Sequence, residues 1–317
     1  MYNFTIYKVA ILNKAKEEQM LNLFNGENDL LEICNQYYNS LRENNEEYID
    51  NQGNKRVFSI SSKIDFLRTE RTLITHFDSA YTGDEPEIRN GDTNALIHKV
   101  SNTELITRKL FSLCYIPKNS KYGFVVFENK VKHGVKVLFE RQLQTFLKTS
   151  GYEDYRVLLS PALNYNYLSN MIEIGKLKKV RLIKYHLLHD VQMSLWDNIN
   201  LFSDDQDVRE WKFKNKTNND LFKKELKNLF FLKVKRNEKI LFMNKFEGDE
   251  ISFEINNNGS SKTFYIKDRA SMRSNIDVSK RLDFIDGEPT YLSMKITALN
   301  LIYEILDYDY LNLNEVA

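Results

Sequence analysis

Glycine and proline are scarce in this chain of 317 residues, at 11 and 4. Few positions are therefore punctuated by the usual turn residues, and collagen-like or Pro/Gly-rich disordered segments are excluded. There are only two cysteines, Cys34 and Cys114, far apart and with no CxxC spacing. That excludes a disulfide scaffold and a Cys-based zinc site, and makes a reducing, cytoplasmic setting the expectation. No run approaches eighteen apolar residues, so no membrane span is expected. Met1 to Leu12 lacks the basic start and apolar core of a secretory signal. No charge dominates: 45 Lys and Arg stand against 44 Asp and Glu. A coat of basic residues is thereby excluded, but a local basic face is not. Also missing are GxxxxGK[ST], a GxGxxG after a strand, and GxSxG. P-loop, dinucleotide and serine-hydrolase chemistry are left without support.

What is present is enough apolar and aromatic content, 42% and 13%, for real cores. Tyr2 to Leu12 is apolar on both alternating sets, the pattern of a central strand. A short helix is expected over Lys14–Phe24, and a second from an Asn28 cap to Arg42. Strands are expected at Arg56–Leu67, Arg71–Asp78, Leu96–Val100, Lys109–Ile116, Phe124–Phe127 and Arg156–Leu159, with a helix over Val135–Lys148. Beyond these come a helix at Tyr165–Ile172, a strand at Lys176–Tyr185, an Asn218-capped helix at Asp220–Phe231 and short strands from Ile240 to Ile266. A last helix, Thr290–Leu306, is expected to bury Leu292, Ile296, Leu299, Leu301, Ile302 and Ile305. The pattern implies an α+β protein. A mixed or mostly antiparallel sheet with packed helices forms an N-terminal domain over residues 1–165, and a smaller α+β domain with a basic face covers 166–317.

Two stretches carry candidate chemistry. The first is Tyr122–Phe146, where an apolar strand ends in Glu128-Asn129-Lys130 and a helix carries Gln142-Leu143-Gln144-Thr145-Phe146. Over these residues it resembles the strand and following helix of PD-(D/E)xK nucleases, with Phe146 at a position that one branch of the family fills with Tyr. The resemblance implies that Glu128 helps to hold a divalent metal such as magnesium and that Lys130 steadies charge on a phosphate. It also asks for a second carboxylate, for which Asp78, Asp84, Asp92 and Glu104 are the candidates. The other reading of Glu128 and Lys130 is a strand end with solvated charges, and then no cofactor is expected.

The second stretch is residues 170–245, with 17 Lys and Arg against 10 Asp and Glu, a net +7; residues 1–50 hold 4 against 9, a net −5. Lys176, Lys178, Lys179, Arg181 and Lys184 on one strand, with Lys223, Lys224 and Lys227 on one helix, are the candidate phosphate contacts. Trp211, Phe213, Phe222 and Tyr185 are the candidate stacking residues. The alternative is a solvated face that balances the acidic N-terminal segment. The spacing of His186, His189 and Asp190 is that of metal ligands on a helix, but no third ligand lies nearby, and no metal site is expected. The Asn- and Lys-rich bias is that of AT-rich bacterial or phage genomes. The expectation is a nucleic-acid-binding or sensing component of a phage-defence or mobile-element system. It would act on DNA or RNA with a protein partner or as a homo-oligomer. A metal-dependent nuclease and a protein–protein adaptor are the alternatives.

Overall fold

The computed structural model describes residues 2–49, 53–130, 135–185, 206–213, 219–232, 234–235, 238–257, 260–272 and 275–314. His186, His189, Asp190 and Asn218 lie outside them. The fold is α+β, with antiparallel sheets and five helices among the described residues. By contact it divides into two units: residues 1–163 with 274–317, and residues 164–273. The sequence reading put Ser274–Ala317 with the second part; they return to the first, because a short strand at Asn275–Asp277 pairs with the N-terminal strand.

Unit 1 is built in chain order from β1 (Asn3–Leu12), α1 (Leu30–Glu43), β2 (Glu46–Ile49), β3 (Lys55–Ser59), β4 (Asp65–Leu67), β5 (Thr72–Tyr81), a small hairpin of β6 (Glu87–Arg89) and β7 (Leu96–Lys99), β8 (Ile106–Tyr115), β9 (Tyr122–Asn129), α2 (Lys136–Thr149) and β10 (Arg156–Pro161). Its nine-stranded sheet runs β10-β1-β9-β8-β5-β3-β2, with β4 on β5. β1 is central, as its two apolar faces imply. Its Val9 and Ile11 join Phe77, Leu110, Val125 and Phe127 in the core beneath α1 and α2, where Tyr37, Tyr38 and Phe139 interlock. The alternate residues, among them Phe4, Ile6, Ile74, Phe111, Phe124 and Val126, are buried on the other face.

Asp29 opens α1. Its carboxylate accepts the Leu31 N–H at 2.9 Å and pairs with the half-buried Arg71, which also donates to the Ile116 carbonyl at 2.7 Å. The cap is therefore Asp29 rather than Asn28. The helix expected at Lys14–Phe24 is a turn followed by one 3-10 turn at Leu21–Leu23. Asn13 closes the turn by accepting the Glu17 N–H on its side chain and the Lys16 N–H on its carbonyl, with Lys16 at φ 63°. Side-chain capping here wins over helix propensity.

After a short pair at Phe284–Ile285 and Glu288–Pro289, which we label β18 and β19 with Asn275–Asp277 as β17, the chain ends in α5 (Tyr291–Asn314). α5 buries Met294, Ala298, Leu301, Ile302 and Ile305. Leu292 and Ile296, expected inside, are 64% and 48% exposed. The helix is apolar on both sides, so its sequence does not fix which side faces the sheet.

Unit 2 comprises α3 (Tyr165–Ile174), β11 (Lys176–Tyr185), β12 (Gln206–Lys212), α4 (Asp220–Phe231), a hairpin of β13 (Ile240–Phe242) and β14 (Phe246–Gly248), β15 (Glu250–Asn257) and β16 (Ser260–Tyr265). The sheet runs β12-β11-β15-β16, all antiparallel. Phe230 of α4 meets Phe253 and Phe264, which stack at 4.8 Å. Val180 and Leu182 share that inner face through their register with Phe253 and Ile251.

Candidate functional site

The end of β9 is one place where sheet pairing is incomplete. β1 pairs with β9 as far as Asn3 opposite Asn129, and β5 pairs with β8 as far as Tyr81 opposite Ile106. The β8–β9 ladder stops at Ser112 opposite Phe127. β8 and β9 therefore fork at Phe111 and Glu128. Glu128 closes the crotch of that fork: its Oε2 accepts the Phe111 N–H at 3.0 Å, in place of a strand partner. Its side chain is 3% exposed, so it is not the solvated strand end of the alternative reading. Lys130 Nζ stands 3.0 Å from Oε1 as an ion pair without hydrogen-bond alignment, and Oε1 has no hydrogen-bond partner.

Alternation puts Glu128 on the face of Phe124 and Val126, opposite Val125 and Phe127. On that face a cavity of about 580 Å³ opens, lined by Ser62, His76, Arg108, Lys109, Glu128, Lys130, Glu288, Pro289 and Met294. His76 meets the Phe111 ring edge-on at 5.7 Å. Burial holds its pKa below the ordinary imidazole value, and Glu128 pulls it the other way. Tyr2 bridges the far side: its ring lies 5.6 Å from Lys130 Nζ, and its hydroxyl donates to Glu288 Oε2 at 3.4 Å.

The four carboxylates proposed from sequence as partners of Glu128 are placed elsewhere. Asp78 shares the face but sits on β5 opposite Lys109, across β8 and two residues along from Phe111, where Glu128 binds. Its Oδ2 accepts the Ser61 N–H at 2.7 Å. Asp84 accepts from the Tyr81 hydroxyl, Glu104 binds Ser101 and His98, and Asp92 is exposed. The carboxylate that the fold does bring to the cavity is Glu288, from the turn before α5. No sequence spacing announces it, 160 positions from Glu128. Among the described residues, no three His, Cys, Asp or Glu side chains come together to hold a metal ion.

The basic candidates of unit 2 separate onto two sides of its sheet. A bulge between Leu177 and Lys179 resets the alternation of β11, so Lys179, Arg181, Ile183 and Tyr185 take the face away from α3 and α4. There Lys179, Arg181 and Lys212 converge on the single carboxylate of Glu210 at 3.7, 2.6 and 3.2 Å. Arg181 and then Lys212 hold that carboxyl below its ordinary pKa. Tyr185 is 53% exposed on the same face. Lys176 and Lys184 are exposed at the two ends of β11, and Lys178 is the bulged residue.

Lys223 and Lys227 are on the helix side. Lys223 Nζ donates to the Glu173 carbonyl at 2.7 Å, and Lys227 pairs with the Glu173 carboxylate. Both neutralise the C-terminal end of α3. Lys224 is exposed on α4. The strand and helix lysines do not form one face. Of the aromatics proposed from sequence, Trp211, Phe213 and Phe222 pack with Phe242 and Phe246 on the helix side, which leaves Tyr185 on the outer face. Sequence reasoning missed Lys212 and Glu210, whose place beside Arg181 is set by the β11–β12 register.

No protein-family model matches the chain, and no curated protein matches it.

Proposed function

We propose that the protein binds single-stranded nucleic acid on the outer face of the unit 2 sheet, as a binding or sensing component rather than a nuclease. The observation that carries this reading is the trio Lys179, Arg181 and Lys212 around the Glu210 carboxylate, still one cation in excess when Glu254, opposite Lys179, is counted, with Tyr185 exposed further along the same face. A flexible strand can pair its phosphates with such cations and stack a base on an exposed ring. Lys176 extends the track along β11, whereas Lys184 alternates onto the side of Val180 and Leu182; Lys223 and Lys227 take no part, because they tie α4 to α3. The wider setting, a phage-defence or mobile-element system with partners, rests on the Asn- and Lys-rich composition and is a proposal of the same kind.

Fluorescence anisotropy with single strands of about 16 nucleotides, the upper end of site sizes on such platforms, tests it. Affinity should fall steeply between about 50 and 200 mM salt. Replacing Lys179, Arg181 and Lys212 together by Glu should flatten the salt slope by about 2, at roughly 0.7 per lost contact, with circular dichroism unchanged. Failure of the parent protein to bind at about 50 mM salt, or a triple variant that binds as well as the parent, would refute the assignment.

A further inference from the structure

α5 carries a second apolar side besides the one that rests on unit 1. Met294, Ala298, Leu301, Ile302 and Ile305 are buried. On the other side Leu292, Ile296 and Tyr303 are exposed, and Leu299 and Leu306 are half-buried. These five follow one another at alternating steps of four and three residues, and the spacing continues in the sequence through Tyr310 and Leu313 to the end of the helix. At about 3.6 residues per turn they form one narrow stripe, roughly 135° round the helix from the buried set. Asn300, Glu304 and Asp307 occupy the remaining side. A surface helix ordinarily has one apolar side. A second one with a period of about 3.5 residues, sustained over about three heptads, is the seam of a coiled coil.

The residues of the seam indicate what covers it. Leu292, Leu299 and Leu306 stand at every seventh place, and Ile296 leads the alternate series, with Tyr303 after it. Leucine in one series with a β-branched residue in the other favours two parallel strands. In that arrangement each seam residue meets its own copy, the self-complementary contact of a twofold dimer. The flanks do not oppose it: by the heptad register Lys295 falls beside Asn300 of the second copy and Ile302 beside Asp307, so no like charges meet. Lys295 already has its charge answered by Glu70 at 2.9 Å. A membrane surface fits worse, since helices that lie on lipid border their apolar side with lysine and arginine, and here Asn300 and Asp307 form one border. We infer that α5 is a dimerisation helix, its Leu292–Leu306 seam paired in parallel and in register with α5 of a second copy of this chain. The inference does not rest on the nucleic-acid reading, which concerns the other unit.

Sedimentation velocity of the full chain without nucleic acid, from about 1 to about 100 µM, tests the seam. The mass should rise from one chain towards two across that range. Ile296→Glu places like charges face to face in the parallel pair. It should weaken association at least about tenfold, with circular dichroism unchanged because the side chain is exposed in the single chain. Leu292→Glu, on a still more exposed side chain, should do the same, and it decides the matter should Ile296→Glu misfold. Ile296→Lys alone should also stay a single chain, but an equal mixture of Ile296→Glu and Ile296→Lys should pair again, since the two 296 positions meet only in the parallel register. The inference is overturned if the parent stays a single chain at about 100 µM, as it would if another protein covers the stripe. It is overturned equally if the Glu variants associate as the parent does, or if the mixed variants do not pair.

Discussion

Glu250 is the residue whose removal should most damage unit 2. Its side chain is buried, at 3% exposure, where the chain turns from β16 towards the segment after it. The carboxylate is held by a nest of backbone amides. Oε1 accepts from Ile251 at 2.8 Å, Ile266 at 3.0 Å and Lys267 at 3.1 Å, and Oε2 accepts from Lys267 at 3.2 Å and Asp268 at 2.7 Å. The Ile266 amide keeps a second acceptor in the Ile251 carbonyl at 3.0 Å, so Glu250→Ala takes most from Lys267 and Asp268. Hydrogen bonds to a charged group contribute about 1.5–3 kcal/mol each, so losing two should cost about 3–6 kcal/mol. The assay is urea unfolding followed by tryptophan emission. Trp211, in β12, packs on Phe242 and Phe246, so its emission follows the unfolding of unit 2. The midpoint should fall with little change in slope. A loss below about 1 kcal/mol, the scale of an ordinary hydrogen bond, would show that the nest is not what holds this turn.

The same optical signal checks two further substitutions. Leu226→Ala, on the inner side of α4 at 0% exposure, should cost about 2–5 kcal/mol through lost transfer energy and a cavity; a cost under about 0.5 kcal/mol would mean that α4 does not rest on this side chain. Lys262 sits across from the buried Ile255 with its ammonium 5.6 Å from the Tyr167 ring, and burial lowers its pKa to about 8. Between pH 8 and the ordinary lysine value the unfolded chain holds the proton and the folded chain does not, so stability rises with pH across that window and the full penalty applies below it. Lys262→Met should therefore stabilise unit 2 at neutral pH, by about 1–3 kcal/mol once the lost cation–π contact is set against the relieved desolvation, and should flatten the rise; parallel pH curves for parent and variant would refute this.

How far the sequence could be read depended on the range of the interaction involved. Alternation along β9 placed Phe124, Val126 and Glu128 on one side and Val125 and Phe127 on the other, because strand periodicity is local. The two apolar faces of β1 marked it as an inner strand for the same reason. α5 was legible as a helix but not as to its buried side, since Leu292 and Ile296 are as apolar as Leu301 and Ile305 and only the sheet decides between them. The return of β17 to β1 joins positions 270 to 274 apart through three residue pairs of register, Asn3 with Asp277, Phe4 with Ile276 and Thr5 with Asn275. No local pattern encodes that pairing, which returns the chain to unit 1 eleven residues before Glu288. A single bulge at Lys178 was likewise enough to decide which residues of β11 face outward.

The lysines of unit 2 show why a charge count alone does not locate a binding surface. Lys227 and Lys212 are equal in sequence terms, each in a basic segment next to aromatic residues. Lys227 has its charge answered by Glu173 at the end of a helix whose own carbonyls already present partial negative charge, so its attraction is spent inside the protein. Lys212 shares Glu210 with Lys179 and Arg181. Three cations cannot all be neutralised by one carboxylate, and the side chain of Lys212 is 75% exposed. An incoming phosphate gains at Lys212 what it would have to take from Glu173 at Lys227. The distinction is testable within one protein: Lys212→Glu should lower affinity for a single strand and its salt dependence, whereas Lys227→Glu, which places a second acid against Glu173, should act on the stability of unit 2 instead.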